Sequence, residues 1–274
     1  MKIYDCHIHS DNSVDGKNSV DEICKTAIAK GVTSITITDH ATPMPAGIDD
    51  YSHIENCVKE ARIAAEKYKD QLLVLVGAER EDKYPADFRE RFYDFELDCV
   101  LGSAHSKATF YEHFPDSGYI DILDCSKSAS IEFIKEVVRK YYHRLTEIAY
   151  YADVDVITHL TFLFRYINGY NNRGLETELF YPEIDNILKG VIERGKSLEI
   201  NTSGKALSWN KFMPDAEILK RYYNMGGRFI TIGSDAHKKE NIAVAFDEAI
   251  KMLKNIGFTH GSYYIKRQRH EYVL

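Results

Sequence analysis

Seven short apolar runs recur along the whole chain, separated by segments with the 3.6-residue periodicity of amphipathic helices. The runs are Lys2–His9, Thr33–Asp39, Leu72–Glu79, Cys99–His105, Val154–His159, Leu198–Asn201 and Arg228–Ser234. Their Ile, Val and Leu content suits strands buried on both faces, as in a parallel sheet. Helices are expected over Val20–Lys30, Ser52–Lys69, Ile131–Tyr151, Pro182–Arg194, Asp215–Met225 and Ile242–Ile256. Pro182 suits a first helical turn, and Gly31, Gly195, Gly226 and Gly257 suit helix stops. Such alternation predicts one α/β domain over residues 1–274, a length that barrels reach as a single unit. The stretch Ser106–Ser130, rich in Tyr, Asp, Ser and Gly, predicts a long loop at the barrel mouth.

Several classes of protein are disfavoured. No run of 18 apolar residues exists, so no membrane-spanning helix is expected. The N-terminal MKIYDCHIHS lacks the apolar core of a signal peptide and reads as a strand that starts at once. The five cysteines are dispersed, without a C-x-x-C pair, and read as reduced and mostly buried. A cytoplasmic location follows as the default. The formal net charge of −7, with no long basic block, argues against a nucleic-acid partner.

The placement of polar residues carries the chemistry. Six of the seven runs end in a potential metal ligand: His7 and His9, Asp39 with His40, Glu79, His105, His159, and Asp235 with His237. In β/α barrels the carboxyl ends of the strands build the active site. On a strand, the i and i+2 spacing of His7 and His9 turns both imidazoles to one face, and Asp235 with His237 repeats the spacing. Glu79 follows the apolar LLVLVGA, so its carboxylate must be paired, coordinated or exposed. Taken singly, His105 and His159 could each be a core histidine bonded to backbone, and Glu79 could pair with Arg80. Their shared placement favours one converging site. Asp5 and Asp39 are expected either to accept the second ring N–H of ligating histidines or to serve structural roles. His53, His113, His143, His260 and His270 are expected on the surface.

The segments DCHIHS, ITDH at 37–40, GAE at 77–79, GSAH at 102–105, ITH at 157–159, EINTSG at 199–204 and GSDAH at 233–237 resemble the PHP family, named for polymerase and histidinol phosphatase. Their order spans nearly the entire chain and is most similar to the stand-alone histidinol-phosphate phosphatases. The resemblance implies a distorted (β/α)7 barrel with the metal site at the C-terminal ends of the strands. It also implies three metals: one on His7, His9, Glu79 and Asp235; a second sharing Glu79 with His105 and His159; a third on Asp15, His40 and His237. Asp15 stands where many relatives carry histidine, and its alternative is a turn residue before Gly16. The stretches LTFLFRY after His159 and SKATFYEHF after His105 depart from the family pattern.

Mixed imidazole and carboxylate donors suit two or three divalent transition-metal ions, Zn, Fe or Mn, rather than Ca or Mg. Such ions acidify water and neutralise phosphoryl charge, which points to hydrolysis of a small phosphorylated substrate. Glu79 and Asp235 are the candidate catalytic carboxylates, with either Asp235 or a metal-bound water as proton donor to the leaving group. Arg165 is a candidate phosphate clamp, since a planar guanidinium grips phosphate at two points; otherwise it is a solvated helix residue. Lys107 and Lys205 are weaker candidates. No organic cofactor is expected. The expected reaction is hydrolysis of L-histidinol phosphate, a step of histidine biosynthesis. The alternatives are another small ester, phosphotyrosine or a nucleotide as substrate, or a metal-stabilised module without catalysis.

Overall fold

A computed structural model describes residues 2–41, 52–81, 95–105, 122–207 and 209–274. Seven strands run parallel in sequence order: β1 (Tyr4–Ile8), β2 (Ser34–Ile37), β3 (Leu73–Glu81), β4 (Cys99–Ser103), β5 (Val156–Ile157), β6 (Ser197–Asn201) and β7 (Ile230–Gly233). All seven expected strands are present, shorter at most ends. The sheet curls until its first and last strands meet. The Asp235 amide donates to the His7 carbonyl at 2.8 Å and the His9 amide to the Ala236 carbonyl at 3.1 Å. The result is a nearly closed barrel. A register shift between Asp5 and Ile8 bends β1 just where its two histidines leave the strand.

Helices α1 (Val20–Ala29), α2 (Ser52–Tyr68), α3 (Ile122–Ser128), α4 (Ile131–Tyr151), α5 (Tyr181–Glu193), α6 (Ala216–Asn224) and α7 (Phe246–Ile256) accompany the sheet. Local chemistry sets their ends. Ser19 and Glu22 form a reciprocal capping box on α1, which stops before Gly31 at φ +71°. Ser130 caps α4 through the Phe133 amide. Along α4, Ile134, Val137, Val138, Tyr141, Leu145 and Ile148 form the buried stripe that holds it to the barrel.

Three expectations change. Within the long loop expected over Ser106–Ser130, residues 122–128 are helix α3, and 106–121 lie outside the described residues. The last helix begins at Phe246 rather than Ile242, because Ala243 and Ala245 both sit at φ +56°. The segment after Gly257, outside all the expected strands and helices, is ordered structure. It forms an antiparallel hairpin, β8 (His260–Ile265) and β9 (Gln268–Val273), turning on Lys266 and Arg267, both at positive φ. This hairpin packs against the amino ends of the strands. Tyr264 joins Cys99, Leu101 and Val156, and its hydroxyl meets Ser197 Oγ at 2.8 Å. Cys6, Cys24, Cys57 and Cys99 are buried free thiols. Among the described residues, no helix is long and apolar enough to cross a membrane.

Candidate metal centre

The opposite mouth, at the carboxyl ends of the strands, gathers the polar residues. His7 lies near the end of β1 with His9 just beyond the strand, His40 follows β2, and Glu79 lies within β3. His105 and His159 follow β4 and β5 by two residues each, and Asp235 and His237 follow β7. Asp15 joins them from the loop after β1. All nine residues expected from the sequence converge. His143, His260 and His270 are exposed and His53 half-buried, while His113 lies outside the described residues.

Glu79 is the hub. Its Oε1 lies 2.8 Å from His159 Nε2 and 3.4 Å from His105 Nε2. Its Oε2 lies 3.0 Å from His40 Nδ1 and 3.5 Å from both His7 Nε2 and His9 Nε2. Five imidazoles from four segments therefore face one carboxylate. Asp235 Oδ1 faces His9 Nε2 at 3.3 Å, His237 Nδ1 at 3.5 Å and His7 Nε2 at 3.6 Å. Asp15 Oδ2 lies 3.0 Å from His237 Nε2 and 3.5 Å from His40 Nε2, so it is part of the cluster rather than a turn residue alone.

Three groups of potential ligand atoms lie mutually within 4.8 Å: His9, Asp15, His40 and His237; His7, His9 and Glu79; His40, Glu79 and His105. They overlap more than the three-metal partition expected from the sequence, because His9 and His40 each face two groups.

Electrostatics follows from this crowding. Burial by itself raises the Glu79 carboxyl, but His105, His40, His7 and the His159 bond hold it well below the usual range. Asp235 is likewise held low against burial, by His7, His9 and His237. Burial, reinforced by His40 and His237, drives His9 down to about 4, so its ring is a neutral donor of a lone pair.

The donor set fits divalent metal ions. His7 Nε2 and His9 Nε2 lie 3.0 Å apart, and each is 3.3–3.6 Å from Glu79 Oε2 and Asp235 Oδ1. Two ligand atoms about 2.0–2.1 Å from one tetrahedral zinc sit roughly 3.3 Å from each other. A divalent cation placed among these atoms would satisfy their lone pairs together. His159 Nδ1 is also buried without a hydrogen-bond partner among the described residues.

Residues beyond the nine hold them in place. His7 Nδ1 meets Glu199 Oε1 at 2.7 Å, and the same carboxylate accepts the His159 amide at 2.8 Å. Asn201 Nδ2 donates to Glu199 at 3.2 Å and to Asp235 Oδ2 at 3.3 Å. Sequence reasoning missed Glu199 and Asn201. The available signal was their i, i+2 spacing on the one strand that ends in no ligand. Asp39 and Asp5 take structural roles, and among the described residues neither accepts a ring N–H. Asp39 accepts from the Ser10 amide and hydroxyl and from Ser13 Oγ, which in turn holds the His40 amide at 2.9 Å. Asp5 accepts the amides of Ser234 and Ala243 and thereby ties β1 to the loop after β7.

Arg165 opens a π-helical turn after β5 at the edge of the cluster. Its guanidinium lies over Phe162 at 4.5 Å and Tyr166 at 4.9 Å and donates to Tyr166 Oη at 2.8 Å and Ser203 Oγ at 3.4 Å. Ser203 Oγ also reaches Asp235 Oδ2 at 3.4 Å, so one hydroxyl separates Arg165 from the cluster. The Phe162 ring packs 5.0 Å from His159 and 5.3 Å from His105. Lys205 instead pairs with Glu248 at 2.8 Å, and Lys107 lies outside the described residues.

A parallel barrel with a histidine and carboxylate cluster at the carboxyl mouth defines a metal-centred β/α-barrel protein. Residues 5–203 match the PHP domain family, and the chain belongs to that family. It is 28% identical to the "Probable histidinol-phosphatase" of Clostridium acetobutylicum, over 92% of this chain and 93% of the relative. It is 23% identical to the histidinol-phosphatase of Lactococcus lactis, over 94% and 93% of the two chains. The crystal structure of histidinol phosphate phosphatase from Lactococcus lactis, complexed with zinc, L-histidinol and phosphate, superposes with a TM-score of 0.81 at 21% identity. It covers 98% of this chain and 99% of the other, and so shares the fold.

Proposed function

We propose that this protein is a metal-dependent phosphatase that hydrolyses L-histidinol phosphate to L-histidinol and phosphate, a step of histidine biosynthesis. One observation carries the reading: five imidazoles lie within 2.8–3.5 Å of the single buried carboxylate Glu79. Full-length relatives named histidinol-phosphatase support the choice of substrate. His7, His9, Glu79 and Asp235 would hold one ion, Glu79 with His105 and His159 a second, and Asp15, His40 and His237 a third. Zinc, manganese and iron all suit these donors. When bound, such ions acidify water and draw charge from phosphoryl oxygens.

The chain's own residues supply orientation and charge. Arg165 grips the phosphoryl oxygens with its two terminal nitrogens, held in place by Ser203, Tyr166 and the Phe162 ring. Asn201 and Ser203 donate to Asp235 Oδ2 and orient that carboxylate on the side facing Arg165. Phe162 covers His105 and His159 and excludes water from that flank. The free buried thiols suit a reducing compartment, and we place the enzyme in the cytoplasm. The net charge of −7 suits a small substrate rather than a nucleic acid.

The test is phosphate release from L-histidinol phosphate, beside a phosphotyrosine peptide and a nucleotide, with metal content determined on the same sample. Turnover selective for L-histidinol phosphate with two or three ions per chain is expected. Bound metal with faster turnover of another ester overturns the substrate, and bound metal with no turnover on any ester overturns the catalytic reading.

A further inference from the structure

We infer that Glu199 is a positioning residue that selects the tautomer of His7 and joins the supports of two ion positions through one carboxylate. The inference rests on the proposed centre, in which His7 and His159 ligate different ions.

Glu199 lies on β6 and is 1% exposed. Its Oε1 takes His7 Nδ1 at 2.7 Å, and its Oε2 takes the His159 amide at 2.8 Å and Asn201 Nδ2 at 3.2 Å. A carboxylate only accepts, so the hydrogen between Glu199 and His7 sits on Nδ1. That leaves the lone pair of a neutral His7 ring on Nε2, the atom that faces His9, Glu79 and Asp235. The second oxygen holds His159 at φ +24°, a backbone angle that a non-glycine residue keeps only under external restraint.

The neighbouring strand is shaped around the pair. A Cβ on Gly233 would lie 2.3 Å from Glu199 Oε1 and 2.6 Å from His7 Cβ, so only glycine at that point of β7 leaves the contact intact. Strands β1, β5, β6 and β7 thus converge on one hydrogen-bonded carboxylate that touches no ion position itself.

Glu199→Gln separates the two duties. The His159 amide can only donate, so the new carbonyl oxygen turns to it and the NH2 group faces His7 Nδ1. His7 then accepts at Nδ1 and carries its hydrogen on Nε2, inside the cluster, where it blocks ligation.

The experiment is nitrogen NMR of histidine-labelled, zinc-loaded full-length protein, with zinc retention at a buffered free-zinc concentration for the wild type, Glu199→Gln, His7→Ala and the double variant. In the wild type, His7 should carry its hydrogen on Nδ1 and bind through Nε2. Glu199→Gln should lose about 10- to 100-fold in affinity for one ion only, the scale set by outer hydrogen-bond partners of metal ligands, and should add nothing to His7→Ala. A wild-type His7 without a hydrogen on Nδ1 overturns the inference even if the variants fail to fold. Wild-type zinc affinity in Glu199→Gln, or equal weakening of every ion, also overturns it. A wild-type protein that binds no zinc, manganese or iron overturns the centre together with this assignment.

Discussion

The two mouths of the barrel bury the same kind of residue to opposite ends. At the amino mouth, Asp98 accepts the Val76 and Lys266 amides at 3.0 Å and pairs with Arg62 at 3.3 Å. Asp155 beside it accepts the Val100 amide at 2.8 Å and pairs with Arg267 from the hairpin turn. Each charge there has a permanent donor or cation. At the carboxyl mouth, Glu79 and Asp235 face imidazoles whose nitrogens can offer lone pairs as readily as protons. A buried carboxylate answered by guanidinium and backbone amides is structure; one answered by an array of imidazoles is a place for a metal ion.

This contrast breaks most sharply at Glu79. Glu79→Ala should lower kcat/KM for L-histidinol phosphate about 10³-fold or more, some 4 kcal/mol of transition-state stabilisation. Its far-ultraviolet circular dichroism should stay native, because the amino mouth is untouched. Activity near wild type would remove Glu79 from the centre.

Stripping the metal should be next in size. At 100 times the dissociation constant, a bound ion stabilises the native state by about 2.7 kcal/mol, so chelation should lower the melting temperature by roughly 5–10 °C for a chain of this size. An unchanged melting curve would separate the carboxyl mouth from stability altogether.

Arg267→Ala should do the reverse of Glu79→Ala. It leaves Asp155 buried without its cation and should cost about 2 kcal/mol in urea unfolding, below the range for fully buried pairs because Arg267 is part-exposed. Turnover per folded molecule should not move, and a large loss of kcat would mean that the two mouths are coupled.

Arg165→Lys should cost about 10-fold in kcat/KM, since an ammonium cannot grip phosphate at two points. Steady-state rates check this, and no change would return Arg165 to a surface role.

The smallest effect is on pH dependence. Burial raises the Asp155 carboxyl, with Arg267 opposing. The protonated carboxyl therefore contributes stability that is complete below the unfolded value of about 3.9 and is lost as pH rises through the higher folded value. Arg267→Ala should move that loss to higher pH, as urea titrations at several pH values would show.

The barrel and eight of the nine converging residues were legible for one physical reason, while Asp15, in the loop after β1, came only with the family resemblance. Parallel strands buried on both faces read as unbroken apolar runs, so a histidine or acid where a run stops stands out. Glu199 did not stand out, because it lies within its strand and its partners come from β1 and the end of β5. The β8–β9 hairpin was hidden because HGSYYIKRQRHEYVL interleaves lysine, arginine and histidine with its tyrosines, and its turn uses Lys266-Arg267 instead of the glycine or asparagine that usually marks such turns. Helix α3 was hidden among the serines and aspartates around it.

The seam where β1 meets the end of β7 has a consequence for how the protein is made. His7 emerges from the ribosome long before Asp235 and His237. The amides that close the seam, Asp235 onto His7 and His9 onto Ala236, cannot form until both are outside the exit tunnel. During synthesis, then, the early histidines stand without their carboxylate, and a captured ion meets only part of its final shell. Tight loading must await the closing of the ring, so metal uptake reports that the barrel has closed and folded.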